Sequence, residues 1–172
     1  TNEATAAPST LTFTNGNWNT PQTVTVTGAN DSIIDGTQTT AVTISVVDAI
    51  SDDAYDSLAD QTVSVSTTDN DTAGFTVAQS GGSTTVAETG STDTFTVVLN
   101  AQPTSNVVIS VVSSDTGEAT VSAGTLTFTN GNWDTPQTIT ITGVDDDLVD
   151  GSQTATTTLS VVDASSDNDF DG

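Results

Sequence analysis

Thr10-Leu11-Thr12-Phe13-Thr14-Asn15-Gly16-Asn17-Trp18 returns unchanged as Thr125-Leu126-Thr127-Phe128-Thr129-Asn130-Gly131-Asn132-Trp133. The offset of 115 residues extends without a gap from Thr1/Thr116 to Ser57/Gly172, and 34 of the 57 aligned positions are identical. Such a period is too long for a solenoid coil and suits one whole domain. Residues 1–71 therefore read as the C-terminal part of one repeat, and residues 72–172 as most of the next. The junction falls near Asp69-Asn70-Asp71-Thr72-Ala73-Gly74. On this register the second repeat lacks the strand equivalent to Thr62 to Ser66, and the first lacks the counterpart of Gly74 to Asp115.

Working outward, Gln22-Thr23-Val24-Thr25-Val26-Thr27 and Gln137-Thr138-Ile139-Thr140-Ile141-Thr142 alternate polar and β-branched apolar residues, the period of a half-buried strand. Further strands are predicted at Val42 to Val47, Thr62 to Ser66, Gly74 to Ala78, Thr84 to Val86, Thr94 to Leu99, Val107 to Val112 and Thr157 to Val162. Gly, Asn, Asp and Pro punctuate them where turns belong. No apolar period of 3.6 persists long enough for a helix. The expectation is all-β: tandem Greek-key β-sandwiches of immunoglobulin-like kind.

Composition excludes much chemistry. The 172 residues carry 23 acids, no Lys, Arg or His, no Cys and no Met, for a formal charge of −23. No nucleic acid is expected as a partner, because nothing neutralises a phosphate. Zinc fingers, disulfides, Schiff bases and His-dependent catalysis cannot be built from this chain. No apolar run approaches the roughly 20 residues of a membrane-spanning helix, so membrane insertion is not expected, and no signal-peptide pattern opens the sequence.

Twenty-three like charges repel unless something outside the side-chain set neutralises them. Disorder would avoid the problem, but the apolar residues are patterned too regularly for it. Divalent cations or ambient salt remain, and Asp, which supplies 20 of the 23 acids, is a short, hard oxygen ligand suited to Ca²⁺.

The order of motifs resembles a known family. Thr85-Val86-Ala87-Glu88-Thr89-Gly90 is followed by Gly124 to Phe128, then Thr138 to Ile141, then Asp145-Asp146-Asp147-Leu148-Val149-Asp150-Gly151. That sequence of features is similar to a Calx-β domain, and Leu11 to Gly36 matches the same pattern in the first repeat. The resemblance implies a seven-stranded sandwich binding Ca²⁺ at one end, as in tandem arrays of bacterial surface and repeats-in-toxin adhesins. It nominates Glu88, Asp115, Asp145, Asp146, Asp147 and Asp150 as metal ligands in the second repeat. In the first it nominates Asp31 and Asp35, beside Asn30, with Asp69 and Asp71 in the acidic linker. Ser32 stands where the second repeat has Asp147, and Asp35 and Asp150 replace the family's usual Glu, so a weaker first site is expected.

Each feature has a plainer competitor. The acidic clusters also read as solvated loops. Asp167-Asn168-Asp169-Phe170-Asp171-Gly172 begins like an EF-hand loop, but its copy Asp52 to Ser57 breaks two positions and no helices flank either, which leaves at most an irregular Ca²⁺ loop. Trp18 and Trp133 sit in identical Asn-Gly-Asn-Trp contexts. A glycan-stacking platform is one reading, and a packing anchor repeated once per domain is the other. Paired carboxylates alone do not make a glycosidase, so no enzyme is expected. Two glycosylation sequons, Asn30-Asp31-Ser32 and Asn70-Asp71-Thr72, overlap the proposed metal loops.

The functional expectation is a structural repeat of a secreted bacterial surface adhesin or extracellular fibre, a Ca²⁺-stiffened spacer whose partners are neighbouring repeats. Two alternatives stand beside it. In one, identical chains complete each other's sheets and form a fibre. In the other, the loops near the two tryptophans bind a glycan.

Overall fold

The computed structural model describes residues 3–171. The repeat's first aligned pairs and the last position of the Asp167–Gly172 stretch lie outside the described residues. The chain is all-β, with eleven strands among the described residues: β1 (Ala4–Ala7), β2 (Thr25–Gly28), β3 (Gln38–Ile44), β4 (Gln61–Thr67), β5 (Phe75–Gln79), β6 (Thr92–Leu99), β7 (Val107–Ser113), β8 (Ala119–Val121), β9 (Thr125–Phe128), β10 (Gln137–Gly143) and β11 (Thr157–Val161). Among the described residues the helical pieces are single 3₁₀ turns, Asp48–Ile50, Ser80–Gly82, Asp163–Ser165 and Asn168–Phe170. No helix there is long and apolar enough to cross a membrane. Two compact units result: residues 1–31 with 35–70, and residues 71–172 with Ser32–Ile34.

The second unit is sandwich-like. Its antiparallel sheets have strand orders β5-β6-β10-β8 and β11-β7-β9. After β6, every connection carries the chain from one sheet to the other. Alternation decides the inward faces: Phe95, Val97 and Leu99 of β6, Val107, Ile109 and Val111 of β7, Leu126 and Phe128 of β9, and Ile139 and Ile141 of β10 are all buried in one cluster. Residues two apart point to the same face, so each of these four strands delivers two or three apolar groups to the core, while the alternate positions, Thr and Ser with Val98, Val108 and Val112, stay half-buried or exposed. Phe170 and Ala119 close the cluster, and Trp133 packs partly buried against it. Ser32–Ile34 joins this unit through a Gln102 amide to Ser32 carbonyl bond of 2.7 Å and a parallel bridge from Ile33 to Gln102.

The first unit comprises two two-stranded sheets, β1-β2 and β3-β4. Its β1-β2 register (Ala4 opposite Gly28, Ala6 opposite Val26) is the β8-β10 register (Ala119 opposite Gly143, Val121 opposite Ile141) displaced by 115. The Asn-Gly-Asn-Trp turn is also repeated. Asn17 Oδ1 accepts from the Thr14 amide and hydroxyl as Asn132 Oδ1 does from Thr129, and Gln22 and Gln137 donate to the carbonyls of Thr12 and Thr127. The same local hydrogen bonds form over a packed core and without one; the second copy adds long-range bonds, from the Leu99 amide to the Trp133 carbonyl and from Gln102 Nε2 to the Asn130 carbonyl.

Thr84 to Val86 corrects an expectation: it is not a strand. The Thr85 amide donates to the Asp93 carboxylate at 2.9 Å and the Ala87 amide to Ser91 Oγ at 2.6 Å. Side-chain acceptors have taken the amides a ladder would have used.

Candidate metal centre

Two groups of three carboxylates converge, Glu118 with Asp146 and Asp150, and Glu3 with Asp31 and Asp35. In each group the contributing oxygens all lie within 4.8 Å of one another. Oxygens sharing one Ca²⁺ at about 2.4 Å can be no further apart than about 4.8 Å. Both groups can therefore hold a metal ion. They are also the same site: adding 115 to Glu3, Asp31 and Asp35 gives Glu118, Asp146 and Asp150.

The fold positions the glutamate and the last aspartate by the same bonds in both units. The glutamate stands immediately before β1 or β8. Its carbonyl accepts from the amide just past β2 or β10, Ala29 to Glu3 at 2.8 Å and Val144 to Glu118 at 2.9 Å. That bond fastens the glutamate beside the loop carrying the two aspartates. The loop is then folded back by a glutamine, with Gln38 Nε2 donating to the Asp35 carbonyl at 2.6 Å and Gln153 Nε2 to the Asp150 carbonyl at 3.0 Å. Gly36 and Gly151 follow the last aspartate with φ of 70° and 77°, a turn that a side chain would resist. Asp146 Oδ1 also accepts from the Leu148 amide at 2.8 Å, which braces the loop tip.

Electrostatics single out one carboxyl in each cluster. Desolvation pushes the Glu118 carboxyl above its ordinary range, and the charges of Asp150, Asp146, Asp115 and Glu88 push it further. Asp35 is raised in the same way, by desolvation and then by Glu3, Asp31 and Asp69. Like charges held this close favour a proton or a cation. Hard oxygens are the only strong ligands present, since the chain has no Cys, His or Met, so a hard divalent ion suits the sites better than a thiophilic one.

No known protein family, curated protein or solved structure matches the chain.

The nominated residues fall into three groups. Asp31, Asp35, Asp146 and Asp150 are in the clusters. Glu88, Asp115 and Asp69 stand near enough to raise the clustered carboxyls. Asp115 Oδ1 takes the Gly117 amide at 3.0 Å, and Asp69 Oδ2 takes the amides of Asp35 and Gly36 at 3.0 and 2.9 Å. Asp145 and Asp147 are exposed and outside the three-carboxylate group, and Asp71 is half-buried and also outside it. The Ser32/Asp147 difference therefore does not distinguish the two clusters. Reading from the sequence missed Glu3 and Glu118, although a signal was present: only three glutamates exist, and two occupy equivalent repeat positions.

Asp167 has a different use. It is buried, and its Oδ2 accepts from Thr104 Oγ1 at 2.8 Å and the Ser105 amide at 2.7 Å, while Oδ1 takes the Asp169 amide. Burial opposes its ionisation, but these donors outweigh burial and hold its carboxyl below the usual range. It ties the loop after Pro103 to the segment carrying Phe170. An open cleft of about 860 Å³ lies beside the second cluster, lined by Glu88 and Glu118 and by Phe95, Ile141 and Leu159.

Proposed function

We propose that this chain is a stretch of tandem Calx-β-like repeats serving as a Ca²⁺-stiffened spacer in a secreted bacterial surface adhesin or extracellular fibre. The observation that carries this reading is the recurrence, at the 115-residue offset, of one three-carboxylate cluster with the same supporting bonds. A catalytic site is seldom duplicated along a chain, whereas a structural ion is needed once per unit. The ion's work would be mechanical. Bound to Glu118, Asp146 and Asp150, it would pin the long β10–β11 loop to the start of β8 and cancel repulsion that otherwise loosens that end. Repeated along an array, the same pinning turns loosely ended units into stiff ones. The absence of any cationic side chain fits an environment that supplies the counter-ions, such as a Ca²⁺-rich or saline medium.

The test is thermal unfolding in chelator, in millimolar Ca²⁺, and in Mg²⁺ at equal ionic strength. A rise in the midpoint specific to Ca²⁺ is expected. Equal responses to both ions would reduce the effect to charge screening and remove the metal from this reading.

A further inference from the structure

The Asn-Gly pairs of the two copies sit in turns built alike. The Asn17 amide donates to the Thr14 carbonyl at 3.1 Å and the Asn132 amide to the Thr129 carbonyl at 3.2 Å, which puts Asn15-Gly16 and Asn130-Gly131 at the two central positions of a β-turn. Both asparagines are exposed. Each carries an electrophile, its side-chain amide carbon, next to a nucleophile, the following backbone nitrogen, and glycine there offers no Cβ to obstruct their approach. Anchoring separates the copies. The Asn130 carbonyl accepts from Gln102 Nε2 at 3.0 Å, its Nδ2 donates to the Pro103 carbonyl at 3.4 Å, and the Trp133 carbonyl accepts from the Leu99 amide at 3.1 Å. Phe128, at the head of that turn, is fully buried. Among the described residues no such bond reaches Asn15 or Trp18, and Phe13 is 52% exposed.

We propose that Asn15 is a self-modification site, where the turn converts to aspartate and isoaspartate without an enzyme, and that Asn130 is its protected copy. The Gly16 nitrogen attacks Asn15 Cγ: the N–Cγ bond forms, the Cγ–Nδ2 bond breaks, and ammonia leaves with the Gly16 proton. Water then opens the cyclic imide. Addition at Cγ restores the original main chain with an aspartate. Addition at the main-chain carbonyl carbon breaks the old peptide bond and leaves the chain running through Cγ. Nothing is oxidised or reduced, and no side chain here carries an amine or thiol to compete with water. The folded turn holds the nucleophile back, because the Gly16 amide donates to Thr14 Oγ1 at 3.3 Å, so reaction proceeds from the opened turn. Opening the first copy breaks bonds within residues 12–22. Opening the second also breaks the three long-range bonds and uncovers Phe128. The isoaspartyl product adds a carbon to the main chain between Thr14 and Asn17, which are bonded backbone to side chain. Either product adds a carboxylate to a chain that has no cationic side chain to offset it.

The proposal needs neither a bound ion nor a neighbouring repeat. The full chain is aged in warm, mildly alkaline buffer, natively and in urea. The two peptides are followed by mass spectrometry, with electron-transfer fragmentation separating isoaspartate from aspartate. In urea the two sites should convert at equal rates, because residues 10–18 and 125–133 are identical. In native buffer Asn15 should stay close to its urea rate, while Asn130 should slow about tenfold or more through its three extra bonds. Gly16→Ala keeps the turn, since its Cβ would lie 3.8 Å from Thr14 Oγ1, an ordinary contact. Conversion at Asn15 should nonetheless fall about tenfold or more, as the added methyl group hinders ring closure. Equal native rates at the two sites would overturn the proposal. So would an Asn15 that folding slows about tenfold or more. A product that is aspartate alone would overturn it too, since direct hydrolysis rather than ring closure would then be the route.

Discussion

Glu118 is the residue on which the second cluster turns, because desolvation and then four other carboxylates, from three different connections, raise its proton affinity. On the proposed Ca²⁺ reading, protons and metal compete for it. Without metal, a carboxyl whose folded value lies above its unfolded value binds its proton more tightly in the native state, so stability rises as pH falls through that window. With Ca²⁺ bound the trend reverses, since acid displaces the ion. The difference in thermal midpoint between the native chain and Glu118→Gln, followed across the acidic range, should therefore slope in opposite directions in chelator and in Ca²⁺. Glu118→Gln and Asp146→Asn should each weaken Ca²⁺ binding by about tenfold or more, by removing charge from a three-carboxylate set; calorimetric titration would read this directly. Asp167 has the opposite sign. Its folded value is depressed, so its contribution is present above the unfolded carboxylate value and lost as pH falls through the folded one. Asp167→Ala should cost about 1–3 kcal/mol in denaturant unfolding, because the Ser105 and Asp169 amides and the Thr104 hydroxyl lose their acceptor together.

At the scale of elements, Gly28 and Gly143 form a natural experiment. They close β2 and β10 at equivalent positions, yet a Cβ on Gly143 would meet the Ala87 carbonyl oxygen at 2.2 Å, while one on Gly28 would meet Thr67 Cγ2 at 3.3 Å. A methyl group of a threonine can give way; a backbone carbonyl beside the Gly143–Ser91 hydrogen bond cannot. Gly143→Ala should therefore destabilise the second unit by about 1–3 kcal/mol or more, while Gly28→Ala stays within about 0.5 kcal/mol. Paired thermal melts would check the contrast. The same elements show what could be read in advance. β10 was legible because strict alternation from Gln137 to Thr142 admits one period, and β6 and β7 because β-branched apolar runs are bounded there by turn residues. β1 and β8 were not, since Ala4-Thr5-Ala6-Ala7 and Ala119-Thr120-Val121 are short and weakly apolar, and only the register against β2 and β10 makes them strands. Thr84 to Val86 looked β-branched enough to pair, but propensity does not reveal that Asp93 and Ser91 intercept its amides. In the carboxylate clusters the aspartates were conspicuous by crowding, while the glutamates that complete them stand alone in sequence and are brought in by backbone bonds across a strand pair.

For the whole molecule, a uniform fold class conceals unequal cores. The second unit holds a core of thirteen buried apolar residues, whereas in the first the buried apolar group among the described residues is Ala4. Hydrophobic burial is the dominant favourable term in folding, so the two units should not unfold together. Calorimetry in chelator should show a cooperative transition belonging to the second unit, and little cooperative heat from the first. Phe128→Ala removes a fully buried ring and should lower the cooperative transition by about 3–5 kcal/mol. Phe13→Ala makes the same substitution in the same sequence context and should leave it unchanged within about 0.5 kcal/mol. Charge acts on both units alike, because 23 acids without a counter-charge repel throughout, so added salt should steady each of them. The comparison that isolates packing from charge is therefore the pair of phenylalanine variants at one ionic strength. If Phe13→Ala cost as much as Phe128→Ala, the first unit would have to possess a core of its own.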